Sequence, residues 1–157
     1  MKGNDGTGDI PARDFWETPQ HFWDLLDEQY SFTFDCCAEP FNKKTINYSD
    51  NFEVQIKVPI DNSCWMNPPF SKAKEMFTHF FRVVKKGVAI YRCDNFETTL
   101  WQNIIFPNVD WIFILNKRLQ YEGLKGNGSR FPSALVGIGV EPPVNLKGTV
   151  LFTRKVK

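Results

Sequence analysis

Apolar positions recur along this chain with two alternating periods. Behind Thr18-Pro19, a capping residue followed by a residue suited to the first helical position, Phe22, Leu25, Leu26 and Gln29 fall at helical spacing in "PQHFWDLLDEQY". "FTFDCC" (32–37) alternates Phe32 and Phe34 in strand fashion and ends on Asp35 and small residues. Residues 39–62 lack a clear period; a short helix or loop is expected there, with a weak strand near Ile46–Tyr48. "CWM" (64–66) reads as a short apolar strand. Ala73, Met76, Phe77, Phe80, Phe81 and Val84 then share one helical face, the strongest periodic signal in the chain, with Gly87 expected to end the helix. "VAIYR" (88–92) follows as a buried-type strand. A second helix near Thr98–Ile105, a strand "WIFIL" (111–115), and the strands "ALVGIGV" (134–140) and "TVLFTRK" (149–155) complete the pattern.

Strands alternating with helices predict a three-layer α/β fold, a Rossmann-like sheet with helices on both faces. The last two strands are joined without a helical pattern, so the sheet is expected to be mostly parallel with an antiparallel strand near the C-terminus. Ligands in such sheets bind at the carboxyl ends of the strands. Asp35 and Asn67 each close an apolar strand, so both are expected at one crevice.

Composition adds limits. The chain has 157 residues, 42% of them hydrophobic, with fifteen Phe and five Trp, enough for a substantial core. The start, "MKGNDGTGDIPARD", has no apolar signal-peptide core, and residues 1–13 read as a flexible arm before one domain over 14–157. No run is apolar enough to cross a membrane. Cys36, Cys37, Cys64 and Cys93 lack zinc-ligand spacing and only two His are present, so no metal site is expected, and the chain is read as cytoplasmic and reduced. His21 and His79 are read as surface or packing residues, and Trp65 as core. Net charge is +1, but residues 117–157 carry +6 and the rest −5, a distribution compatible with a nucleic-acid-facing end.

The chemically informative stretch is "CWMNPPFSKAKEM" (64–76). Two consecutive prolines remove two backbone donors and fix two φ angles. A residue before proline is pushed to extended geometry, which aims Asn67. Its side-chain carbonyl and the Pro68 backbone carbonyl then form two rigid acceptors for the two N–H bonds of a planar amine. Phe70 is placed to stack on a flat ring. If the electrophile is a sulfonium methyl, no strong general base is needed, because the amine can lose its proton after transfer. The plainer alternative is a stiff helix-entry turn with Phe70 as a staple.

The Asn-Pro-Pro-Phe tetrapeptide resembles the (Asn/Asp/Ser)-Pro-Pro-(Tyr/Phe/Trp) motif of S-adenosylmethionine-dependent amino-methyltransferases. "FWETPQHFWDLLDEQYSFTFDCCAEPFNKK" (15–44), "LNKRLQYEG" and "RFPSALVGIG" extend the likeness to about residue 140, and the order of segments is similar to small phage and prophage DNA N6-adenine methyltransferases. The resemblance implies a class I methyltransferase fold acting on adenine in DNA, with Asn67, Pro68, Pro69 and Phe70 holding the base. It implies that Asp35 and Ala38 line the methionine and ribose part of S-adenosylmethionine, that Thr18 and Pro19 close over it, that Phe15 or Trp16 shields the sulfonium, and that Asn42 and Asp50 reach the adenosine end. The chain departs from the pattern in two places. Asp35-Cys36-Cys37-Ala38 stands where most methyltransferases carry a Gly-rich loop, and Phe70 replaces the commoner Tyr.

A base inside a duplex is unreachable, so it must be flipped or come from a single strand. No separate target-recognition domain is expected. Lys117, Arg118, Lys125 and Arg130, with Tyr121 and Phe131 able to stack, make residues 116–132 the expected DNA contact. The other readings are the same chemistry on cytosine N4 or protein glutamine, and a catalytically silent DNA-binding module; a monomer or a homodimer fits equally.

Overall fold

The computed structural model describes residues 16–121 and 131–154, which form a six-stranded mixed sheet with helices on both faces. In chain order come α1 (Gln20–Tyr30), β1 (Phe34–Asp35), α2 (Phe52–Gln55), β2 (Ile60–Met66), a 3₁₀ turn (Phe70–Lys72), α3 (Ala73–Val83) and β3 (Val84–Arg92). A π-helical segment (Leu100–Ile105) runs into α4 (Phe106–Asn108), followed by β4 (Trp111–Leu115), β5 (Ser133–Ile138) and β6 (Gly148–Thr153).

The sheet order is β1-β2-β3-β5-β4-β6. β1, β2 and β3 pair in parallel, while β5 pairs antiparallel with both β3 and β4, and β6 antiparallel with β4. β1 to β4 therefore run one way and two strands, β5 and β6, run against them. Alternation along the strands explains the layers. Cys64, Met66, Ala89, Tyr91, Ala134 and Val136 face α3 and the π-helical segment in one core. Trp65, Val88, Ile90, Leu135, Trp111 and Phe113 face α1 in the other.

Several boundaries differ from the sequence pattern. Thr18 does not cap α1: Pro19 occupies the cap position with no side-chain cap. Leu25, expected on the apolar face, is exposed, and Phe22, Trp23, Leu26 and Tyr30 make the buried stripe instead. Gly87 does not end a helix. α3 passes directly into β3 at Val84, and Gly87 lies mid-strand, where a Cβ would press on the Phe80 ring and the Cys64 carbonyl. Between 39 and 59 the expected short helix forms as α2, whereas the expected strand near Tyr48 is a single parallel bridge to Asp35.

Gly137 carries a packing test. It pairs with Trp111 across β5 and β4, and a Cβ there would overlap the indole, which is itself fully buried. Gly137→Ala should destabilise the fold by about 1–3 kcal/mol, read by urea unfolding; an unchanged midpoint would show that Trp111 has room to move.

Candidate functional site

The carboxyl ends of β1 to β4 meet at one edge. Registers make that edge stepped: Asp35 pairs with Trp65, Met66 with Ala89, and Arg92 with Ser133. Asp35 and Asn67 thus sit on neighbouring strands, as the pattern predicted.

Asn67 is half-buried and its carboxamide nitrogen donates to the Trp16 carbonyl and to Thr18 Oγ1, each at 3.2 Å. Trp16 offers only an acceptor, so the nitrogen must face it and Oδ1 faces the other way. No hydrogen bond among the described residues engages that oxygen. The Pro68 carbonyl is similarly uncommitted, whereas the Pro69 carbonyl accepts the Lys72 N–H at 3.1 Å. Pro69 is extended (φ −61°, ψ 138°) and leads into the 3₁₀ turn. Asn67 Oδ1 and the Pro68 carbonyl are therefore adjacent acceptors without a partner among the described residues, and neither Pro68 nor Pro69 has an N–H to donate; Pro68 itself is buried.

Phe70 is half-buried and held by rings: Trp16 at 5.9 Å and Phe131 at 5.6 Å meet it edge-on, and Tyr91 lies at 5.8 Å. Trp16 also stacks near Tyr121 and Phe131, at 6.2 and 6.4 Å. Tyr121, expected to face DNA, is only 4% exposed and its hydroxyl bonds Ser133 Oγ at 2.8 Å, so it anchors this aromatic cluster in the core.

Asp35 is 3% exposed. Its Oδ2 accepts the Lys44 backbone N–H at 2.9 Å, while Oδ1 is buried without a partner. Burial pushes its pKa up to about 7, against the lowering effect of the backbone N–H groups of Lys44 and Cys37. The Lys44 ammonium reaches the Gln20 side chain at 3.0 Å, which ties the Asp35 loop to α1.

Two adjoining cavities open here. The smaller, about 30 Å³, is bounded by Trp16, Thr18, Asp35, Asn42, Lys44 and Asn67. The larger, about 230 Å³, is bounded by Ala38, Asn42, Asp50, Glu53, Asn67 and Pro69 among others. Cys37, Asn42 and Asn67 line both, so the cavities form one divided cleft. Of the residues expected at a cofactor, Trp16, Thr18, Asp35, Ala38, Asn42 and Asp50 line this cleft. Pro19 is buried at the start of α1 and lines neither part. Phe15, Lys125 and Arg130 lie outside the described residues. Lys117 and Arg118 are exposed just past β4, on the same edge of the sheet as Asn67.

Pattern reading missed Glu53, Lys44 and Lys72. Glu53 lies in the first turn of α2, where an acid is a weak signal, and its carboxylate lies 3.9 Å from the Lys72 ammonium beside the cavity. His79 is buried against Phe52 and bonds the Ile56 carbonyl, and His21 is exposed, both away from the cleft. Trp65 is buried in the core. Among the described residues no helix is long and apolar enough to cross a membrane.

These features define an α/β protein with two uncommitted acceptors, Asn67 Oδ1 and the Pro68 carbonyl, at the carboxyl edge of its sheet, next to a polar cleft with a buried carboxyl group. A family model for DNA N-6-adenine-methyltransferase (Dam) matches residues 7–153, and the chain belongs to that family. No curated protein matches it.

The raised pKa of Asp35 makes a stability prediction. The folded state holds this proton up to about pH 7, whereas an unfolded Asp releases it near its ordinary value of about 3.9. Stability therefore falls as pH rises from about 4 to about 7, by up to about 1.4 kcal/mol per pH unit, and levels off above that. Asp35→Asn should remove this component, so the stability difference between variant and wild type, followed by urea unfolding from pH 4 to 8, should favour the variant increasingly with pH. A pH-independent difference would mean that Asp35 ionises normally.

Proposed function

We propose that this chain transfers a methyl group from S-adenosylmethionine to the exocyclic N6 of adenine in DNA. Membership of the family supports the reaction. The observation that carries it is the pair of uncommitted acceptors, Asn67 Oδ1 and the Pro68 carbonyl, with the nitrogen side of the same carboxamide already engaged.

The residues of the cleft fit the cofactor. An orphaned, buried Asp35 Oδ1 calls for a cationic or N–H-bearing group, and the amino-acid end of S-adenosylmethionine carries an ammonium. Asp35 and Asn42 would hold that end, and Ala38, Asp50 and Glu53 the adenosine end. The cofactor supplies an electrophilic methyl on a positively charged sulfur, which leaves as a neutral thioether. Asn67 and Pro68 would hold the two N6 hydrogens in place, which would draw the nitrogen lone pair out of the ring and leave it available for attack. Phe70 supports the face of the base. The proton that the nitrogen sheds after transfer passes through the same two acceptors toward solvent, and no residue of high pKa is required.

The base must leave its stack to reach Asn67. Lys117 and Arg118 lie on the edge where the phosphates of a flipped or single-stranded nucleotide would run, with Lys125 and Arg130 as further candidates.

Three results test this reading. Asn67→Ala should abolish labelled methyl transfer to adenine, detected by nucleoside analysis, while calorimetry still shows cofactor binding; loss of both together would make Asn67 structural. N4-methylcytosine as the product, or methylated protein glutamine, would redirect the substrate. Because the ammonium pairs with ionised Asp35, cofactor affinity should rise with pH toward about 7 and then level, and Asp35→Asn should flatten that profile. Replacing Lys117, Arg118, Lys125 and Arg130 together should weaken DNA binding and flatten its dependence on salt; an unchanged slope removes them from the interface.

A further inference from the structure

We infer that Thr18 is a positioning residue that, with the Trp16 carbonyl, locks the Asn67 carboxamide with its acceptor outward, and that this lock selects amino bases against 6-keto bases. The inference rests on the methyl-transfer reading above and adds what decides the substrate edge. It also replaces the expectation that Thr18 serves the cofactor.

An Asn carboxamide can turn about its last torsion and exchange acceptor for donor, because that rotation is roughly two-fold. At Asn67 the two senses are not equivalent. Turning it would bring Oδ1 against the Trp16 carbonyl, acceptor against acceptor. The present sense gives one N–H to that carbonyl and the other to Thr18 Oγ1, both at 3.2 Å. Thr18 is 1% exposed and Trp16 8%, so an unmade bond here is not readily replaced by one to bulk water. Both partners are themselves held. The Pro19 carbonyl accepts the Trp23 N–H at 3.0 Å, which fixes the segment to α1, and the Trp16 ring is packed against Phe70 and Phe131.

The lock turns the lone pairs of Asn67 Oδ1 away from Trp16 and Thr18, so the carboxamide offers the substrate an acceptor rather than a donor. A 6-amino base supplies two hydrogens to two acceptors. A 6-keto base such as hypoxanthine sets its own lone pairs against them and leaves buried groups unmatched, the arrangement that discriminates most strongly. Weakening the lock lets the carboxamide turn and offer a donor instead.

The experiment compares wild type, Thr18→Val and Thr18→Ser. Methyl transfer is measured on unmodified DNA, with competition by the same DNA carrying hypoxanthine in place of adenine. Thr18→Val should lower kcat roughly ten- to a hundredfold while the cofactor KM stays within about twofold. Hypoxanthine DNA should compete roughly threefold better or more. Thr18→Ser, which keeps the hydroxyl, should stay close to wild type. Wild-type kcat in Thr18→Val, a parallel loss of cofactor affinity, or failure of Ser to restore activity would overturn the inference. Hydrogen exchange of the Asn67 side-chain amide, followed by NMR of the wild-type chain, decides the lock without any assay or variant: slow exchange of both hydrogens supports it and fast exchange overturns it. If no DNA is methylated by the wild type, the proposed reaction fails, and the exchange result still stands alone.

Discussion

Both faces of the central sheet are buried, and this constraint decides where chemistry can occur. Side chains of β2, β3, β4 and β5 alternate between two cores, so a polar group on either face would lie in apolar surroundings. The internal strands also commit their backbone groups to neighbours. Only residues past the strand ends can meet a ligand, and four strands end on the same edge. Asp35, Asn67, Arg92 and the Lys117–Arg118 pair come to that edge from separate strands. β1 is two residues long and ends beside Trp65, whereas β3 runs on to Arg92. The step between them leaves room for the cleft, and residues 38–53 close its outer side.

Features that depend on local backbone rules were legible in the sequence. The apolar stripe of α3 is the clearest: Ala73, Met76, Phe77 and Phe80 are all buried. The Asn-Pro-Pro-Phe segment was legible for the same reason, since proline fixes φ wherever it sits. Features that depend on remote partners were not. Thr18 before proline carries every local mark of a helix cap, yet its hydroxyl bonds a carboxamide forty-nine positions away. Tyr121 and Phe131 flank a basic stretch and so read as base-stacking aromatics, but they pack with Trp16 and Phe70. Residues 39–51 lack periodicity because they are held by single backbone bonds to the end of β1, such as Ser49 N–H to the Asp35 carbonyl and Ala38 N–H to the Ser49 carbonyl. Gly87 illustrates a different limit: a glycine marks either a left-handed turn or a crowded site, and only the fold tells which.

Asp35 and the two acceptors differ electrostatically, and the difference suits them to different parts of a ligand. Asn67 and Pro68 offer neutral dipoles, which can orient a polar group without changing its protonation. Asp35 is a carboxyl group whose pKa burial raises to about 7, so a cation beside it would shift it toward its ionised form. Its burial thus makes it responsive to a positively charged group, as a solvated surface carboxylate would not be. The exposed cations Lys117 and Arg118 lie further along the edge, past β4, where a full charge acts over a longer range than a dipole.

The absence of glycine from Asp35-Cys36-Cys37-Ala38 is resolved by the same geometry. Glycine is required where the chain turns left-handed or where a ligand needs the space of a Cβ. Among the described residues the only non-glycine with a positive φ is Ser31, so this turn runs entirely through conformations open to any residue. It is held by backbone bonds instead: Cys36 N–H to the Trp65 carbonyl at 2.9 Å, and Ala38 N–H to the Ser49 carbonyl at 3.0 Å. Space is gained by size. Cys36 points into the core with no exposure, and Ala38 and Cys37 place only small groups against the cleft. Small side chains therefore leave room beside the buried carboxyl group while keeping the turn stiffer than glycines would.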